Sequence, residues 1–140
     1  MTMNETIIAE ISAHLAAENA QDLDAILEGM TEDCFNLVVP DPHRLYAGPE
    51  EVARRYRGLW MTFPDLTVQM RRIVSVQGNT AVSEHTLSGT HRGSLFGVPG
   101  TGRHVEVETA VVWDLVDGRI RGETVYFDAA TMLRQVGYLR

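Results

Sequence analysis

The sequence predicts an α+β domain, with helices first and an antiparallel sheet after them, and three observations carry that prediction. Up to about residue 61, apolar residues recur at helical spacing between cap-forming residues. From Leu66 the period changes to two, and short turn strings punctuate it. The chain has 140 residues with 44% apolar and 22% charged, enough for one domain with a real core and too short for two. Residues 1–140 are therefore read as a single domain.

Ile7, Ile8, Ile11, Leu15 and Ala16 place the first helix over about 4–18, with Asn4 as its N-cap. Asp22 opens a short second helix through Leu23, Ile26 and Leu27, and Gly29 ends it. CFNLVV (34–39) reads as a compact strand, followed by the turn-rich PDPHRLYAGP. Pro49 in a first helical turn, with Glu50 and Glu51 behind it, starts a third helix that runs to about Met61. Strands follow near 66–76, 80–91, 103–115 and 119–128, with turns at QGN (77–79) and VDG (116–118). A glycine-rich loop, GSLFGVPGTG (93–102), interrupts them, and a last helix over about 129–136 closes the chain.

Composition narrows the function. Twelve Lys+Arg against nineteen Asp+Glu give a net charge of −7, a poor match for a nucleic-acid backbone, which rewards a basic face. No apolar run reaches 18 residues, so no membrane span is expected. The N-terminus has no basic region or small-residue cleavage site, so a cytoplasmic protein is expected. A lone cysteine, Cys34, forms no internal disulfide, and five histidines without i, i+4 pairing argue against a metal site. The loop 93–102 lacks a Gly-Lys-Ser/Thr phosphate string and reads as a long connection or a lid.

Strand alternation sorts the candidate site residues, although a single bulge would swap the faces. Val107, Thr109, Val111 and Trp113 form the better core face of their strand, and Thr124, Tyr126 and Asp128 are paired with it. His85 and His91 share a face one strand away, and Asn36 lies on the first strand. Converging faces would enclose an apolar pocket holding Asp128, Tyr126, His85, Asn36 and His91, suited to acid–base chemistry by a carboxyl with raised pKa and a histidine. Each has a plainer reading. Asp128 precedes AATMLRQ and fits a helix N-cap, His85 fits an ordinary half-buried histidine, and His91 fits a group orienting the glycine loop. Asn36 needs a hydrogen-bond partner if buried. Tyr56, Trp60 and Phe63 read as core or as an aromatic wall for a flat ligand. On the outward side Val112, Val125 and Phe127 form an apolar patch that suggests a homodimer.

The stretch from GTHRGSLFGVPGTG through DGRIRGETVYFDAATMLRQVG resembles the C-terminal half of SnoaL-like polyketide cyclases, and ENAQDLDAILEGMTEDC resembles their helix–turn–helix entry. These cyclases belong to the nuclear-transport-factor-2-like superfamily, with ketosteroid isomerases and limonene-type epoxide hydrolases. The resemblance implies a cone: a curved, mostly antiparallel sheet wrapped around three helices, with a deep apolar pocket. It further implies a cyclase or isomerase acting without metal or cofactor on a hydrophobic, polyketide-like carbonyl compound. Asp128 of the Y-F-D string would be the acid/base, Thr124 would line the pocket, and His85, His91, His14 or Asn36 would bind the enolate. Against ketosteroid isomerases, His14 falls where they carry the oxyanion-binding tyrosine and Val38 where they carry the base; only a strand shift would offer Asp41. For an epoxide hydrolase, the nearest string, Arg121-Gly122-Glu123, points away from the pocket in this register. A non-catalytic small-ligand binding module remains the reading from another class.

Overall fold

The computed structural model describes residues 1–140. Four helices and six strands follow in the order α1 (Met3–Asn19), α2 (Leu23–Glu28), β1 (Met30–Val38), β2 (Leu45–Ala47), α3 (Pro49–Thr62), β3 (Thr67–Gln77), β4 (Thr80–Thr90), β5 (His104–Val116), β6 (Arg119–Phe127) and α4 (Ala129–Gln135). The expected α+β order therefore holds.

Local chemistry sets the ends. Thr2, rather than Asn4, caps α1, because Thr2 and Glu5 form a reciprocal capping box. Asp22 accepts from the Ala25 amide at the start of α2. Pro49 supplies the fixed φ of the first turn of α3. The hairpin between β5 and β6 turns through Asp117 and Gly118, both at positive φ, a geometry that Asp-Gly adopts readily. The turn-rich segment after β1 hides a short strand, β2, that sequence periodicity does not reveal over three residues.

The sheet order is β2-β1-β6-β5-β4-β3, antiparallel throughout except where β1 runs parallel to β6. Register shifts in β1, β3 and the β5–β6 pair curve the sheet around the helices. Ile7, Ile11 and Leu15 of α1, with Val52 and Tyr56 of α3, meet Val107, Val111, Trp113 and Leu115 of β5 in one core. Each fully buried aliphatic side chain there contributes about 1.5–3 kcal/mol.

One bulge corrects the expected faces of β6. Leu115 pairs Ile120, but Asp114 pairs Gly122, so Arg121 is an extra residue. Beyond it the alternation inverts, and Glu123, Val125 and Phe127 turn inward opposite Trp113, Val111 and Thr109. Thr124 and Tyr126 consequently lie on the other face, Tyr126 being 47% exposed. Val125 and Phe127 thus leave the outward patch on which the homodimer expectation rested; Val112, paired with Thr124, remains outward.

Candidate functional site

Between α3 and the inner sheet face lies a cavity of about 550 Å³, within the range that holds a drug-sized ligand. Its apolar wall comes from Val38, Leu59, Phe63, Leu87, Val125, Phe127 and Met132. Leu95 and Phe96 of the glycine-rich loop cover one side, with Phe96 stacked on Phe127. The loop is held at its base. Arg92 and Gly93 amides donate to the Thr62 carbonyl, and the Thr62 hydroxyl donates to the Ser94 carbonyl. A Cβ on Gly93 or Gly100 would overlap the backbone of Met61 or Arg92, so glycine is required at both. The polar lining is Asp41, His43, Tyr46, Arg54, Arg55, Thr62, Ser94 and Thr109.

One inward step down the strands, beneath Val38, Leu87, Thr109 and Val125, sits a buried polar layer. Its members come from distant segments: His14 and Glu18 of α1, Asn36 of β1, Tyr56 of α3 and Glu123 of β6. The Tyr56 hydroxyl donates to Glu123 Oε2 at 2.7 Å, and Asn36 Nδ2 donates to the same oxygen at 3.2 Å. His14 Nε2 lies 2.8 Å from the Tyr56 oxygen and 3.4 Å from Glu123 Oε2. Since the one Tyr56 proton goes to Glu123, His14 Nε2 carries a proton and donates it to Tyr56. Glu18 Oε1 approaches His14 Nε2 at 3.9 Å, one helical turn away. Arg55 ties layer to cavity: it lines the cavity, donates to Asn36 Oδ1 at 3.3 Å and lies 5.0 Å from the centre of the Tyr56 ring.

Two carboxyls in one network are driven apart. Burial pushes Glu123 up, but His14, Arg55 and the Tyr56 hydrogen bond outweigh it and hold the carboxyl at about 2. Burial also raises Glu18, and the charge of Glu123 adds to that, so it reaches about 7 despite His14 and Arg55. Burial disfavours the charged form of His14, yet Glu123 and Glu18 more than compensate and its pKa is raised. Tyr56 is raised well above its ordinary value by burial and by the two carboxylates. His14, Glu18 and Glu123 also offer three potential metal-ligating atoms within 4.8 Å. Glu123 Oε2 is already engaged by Tyr56 and Asn36, and the Arg55 cation stands alongside, so the set fits a proton-holding network better than a cation cage.

Of the residues singled out from the sequence, His14, Asn36 and Tyr56 meet in this layer, and Phe63 and Thr109 line the cavity. Trp113 and His85 are buried beside it: Trp113 Nε1 donates to Ser83 Oγ, which lies 2.9 Å from His85 Nε2. Burial lowers the His85 pKa, favouring the neutral ring. His91 is fully buried and its Nδ1 lies 2.9 Å from Thr101 Oγ1, so it fixes the glycine loop. Trp60 is partly buried against the core. Asp128 stands apart. It is exposed, outside the cavity lining, and caps α4 by accepting from the Ala130 and Thr131 amides and the Thr131 hydroxyl. Those hydrogen bonds lower its pKa, the opposite of the expected raised carboxyl. Glu18, Glu123 and Arg55 were missed. Glu18 continues the inward stripe 7-11-14-18 of α1, and the odd spacing of Ile120 and Val125 signals the bulge that turns Glu123 inward.

The architecture is a curved sheet closing over helices, with an apolar cavity above a buried layer of acid–base groups. Residues 9–136 match the family model of the SnoaL-like polyketide cyclases, and the chain belongs to that family. It is 27% identical over 122 residues to nogalonic acid methyl ester cyclase of Streptomyces nogalater, covering 82% of this chain and 91% of that one. Among solved structures, a SnoaL-like candidate polyketide cyclase from Jannaschia sp. CCS1 superposes with a TM-score of 0.86 at 22% identity, over 97% of this chain and 94% of that one. The candidate polyketide cyclase IdmH from Streptomyces antibioticus gives 0.79 at 26%, over 94% and 98%.

Proposed function

We propose that this chain is a cofactor-independent cyclase or isomerase that moves protons beside a carbonyl of a hydrophobic, polyketide-like compound. The observation that carries the reading is the buried layer itself. Ionisable and polar groups from four separated segments converge under an apolar cavity, where burying two carboxyls and a histidine carries a desolvation cost that apolar side chains would avoid. Two carboxyls whose pKa values are pushed apart supply an acid and a base in one network. Glu123, ionised throughout the physiological range, is the base; it lies one layer beneath the cavity wall, so in this proposal the reacting carbon enters past Arg55 and Thr109 to meet it. Glu18 stores a proton beside the network, while the chain of donors itself runs from His14 Nε2 through the Tyr56 hydroxyl to Glu123. Arg55 stabilises the enolate oxygen, where negative charge develops in the transition state. The cavity holds the chain folded for ring closure, a large term in intramolecular reactions.

The catalytic role expected of Asp128 passes in this proposal to Glu123. A second reading rests on Asp41, the only carboxylate lining the cavity, which accepts from the Tyr46 hydroxyl and could act as the base in its place. Product analysis by mass spectrometry with linear β-dicarbonyl polyketide mimics tests both. A product of unchanged mass and new retention time, kept by Asp128→Asn and Asp41→Asn but lost in a folded Glu123→Gln, supports the assignment. Loss in Asp41→Asn alone moves the base to Asp41. Gain of one water from an epoxide would indicate hydrolase chemistry, and retention of ligand with no product from any compound would indicate a binding module.

A further inference from the structure

The arginines of the chain are not equivalent. Arg71, Arg72 and Arg121 each pair with a carboxylate on the surface. Arg54 and Arg55, consecutive on α3, both line the cavity, and neither touches a carboxylate. Arg55 is half-buried, and its only hydrogen bond to protein, to Asn36 Oδ1, engages one of its five N–H donors. The Tyr56 ring under the guanidinium and the Asn36 contact hold it in place, so little freedom remains to be lost when a ligand arrives. The one carboxylate on the cavity wall, Asp41, is occupied otherwise: one oxygen accepts from Tyr46 Oη and the other from the His43 amide. Glu123 in the layer beneath offsets part of the Arg55 charge, but neither guanidinium is in contact with a carboxylate, so the polar end of this apolar cavity keeps cationic N–H donors for a ligand with a charge to match.

We propose that the ligand carries a planar, delocalised anion, either a carboxylate or the enolate of an acidic β-dicarbonyl, which Arg55 and Arg54 hold while its apolar body lies along Leu59, Val125 and Phe127. The inference deepens the proposed function, on which it rests for the site, and concerns the substrate's charge rather than the reaction. Arg55 binds the anion directly, being fixed, and Arg54, exposed at the mouth, adds charge and steering.

Binding to 2-naphthoic acid, methyl 2-naphthoate and 2-phenylindane-1,3-dione, read by calorimetry at neutral pH, tests this without turnover. The wild type is expected to bind the acid about 10- to 100-fold tighter than the ester, the range of a hydrogen bond to a charged group. Tight binding of the dione as well as the acid means that any delocalised anion suffices; tight binding of the acid alone assigns a carboxylate. Arg55→Met is expected to abolish most of the preference, the acid losing at least about 10-fold more affinity than the ester. Should that variant fail to fold, Arg54→Gln on the exposed side keeps the test alive, because it is expected to lower the acid's affinity and salt dependence by more than the ester's. Equal binding of acid and ester by the wild type, binding of neither, or a preference that survives both variants overturns the proposal. If acid and ester bind alike while neutral β-dicarbonyl compounds are still turned over, the anion pair fails and the proposed function stands.

Discussion

Glu18 is a carboxyl that the fold works against, and replacing it with glutamine exposes the cost. It is 5% exposed on the inner stripe of α1, near the ionised Glu123, and holds its proton to about pH 7. In the unfolded chain that proton leaves near the ordinary 4.5. Between those two values the native state binds the extra proton, so stability falls as pH rises. The difference is worth about 3 kcal/mol at about 1.4 kcal/mol per pH unit. Glu18→Gln keeps the shape and cannot ionise, so it escapes this loss. Any change in hydrogen bonding at glutamine adds a constant and leaves the pH slope untouched. Urea unfolding of both proteins from pH 4.5 to 8 should show the variant gaining about 3 kcal/mol on the wild type across that span, mostly between 5 and 7. A stability difference that stays flat with pH would refute the raised carboxyl and, with it, Glu18 as the proton store.

The remaining predictions address neighbouring groups. Tyr56→Phe should cost about 1.5–3 kcal/mol in urea unfolding, because it removes a 2.7 Å hydrogen bond to a buried carboxylate, and it should lower turnover. In an NMR titration His14 should titrate above 6.5 and His85 below it, and Glu123→Gln should bring His14 down, since burial would then oppose its charge with one partner fewer. Gly100→Ala should destabilise by about 1–3 kcal/mol, because the added carbon meets the Arg92 backbone, which cannot move aside as a side chain would; chemical denaturation measures it. Asp128→Ala should lower the thermal midpoint through loss of the α4 cap while product formation persists, an outcome read from a melt and a turnover assay on one preparation.

Much of this protein was legible in its residues alone. Helical spacing in α1, Asp22 and Pro49 at helix starts, and Asp-Gly at a hairpin are local signals, and each forms the element it indicates because the interactions responsible lie within a turn of chain. The motif strings from GTH to FDAATMLRQVG carried the family through to the matched residues 9–136. Short β2 escaped because three residues carry no period, and it exists only by pairing with β1. The face of β6 escaped because one bulged residue, Arg121, shifts everything after it by half a pleat, exchanging Asp128 and Tyr126 for Glu123 and Phe127. The sequence by itself thus determined the elements, their order and the lineage. Only the tertiary structure decided which carboxylates are buried together, because the contact between Glu123, 109 positions from His14, and its partners depends on strand register and on packing of α1 and α3, neither of which any local segment encodes.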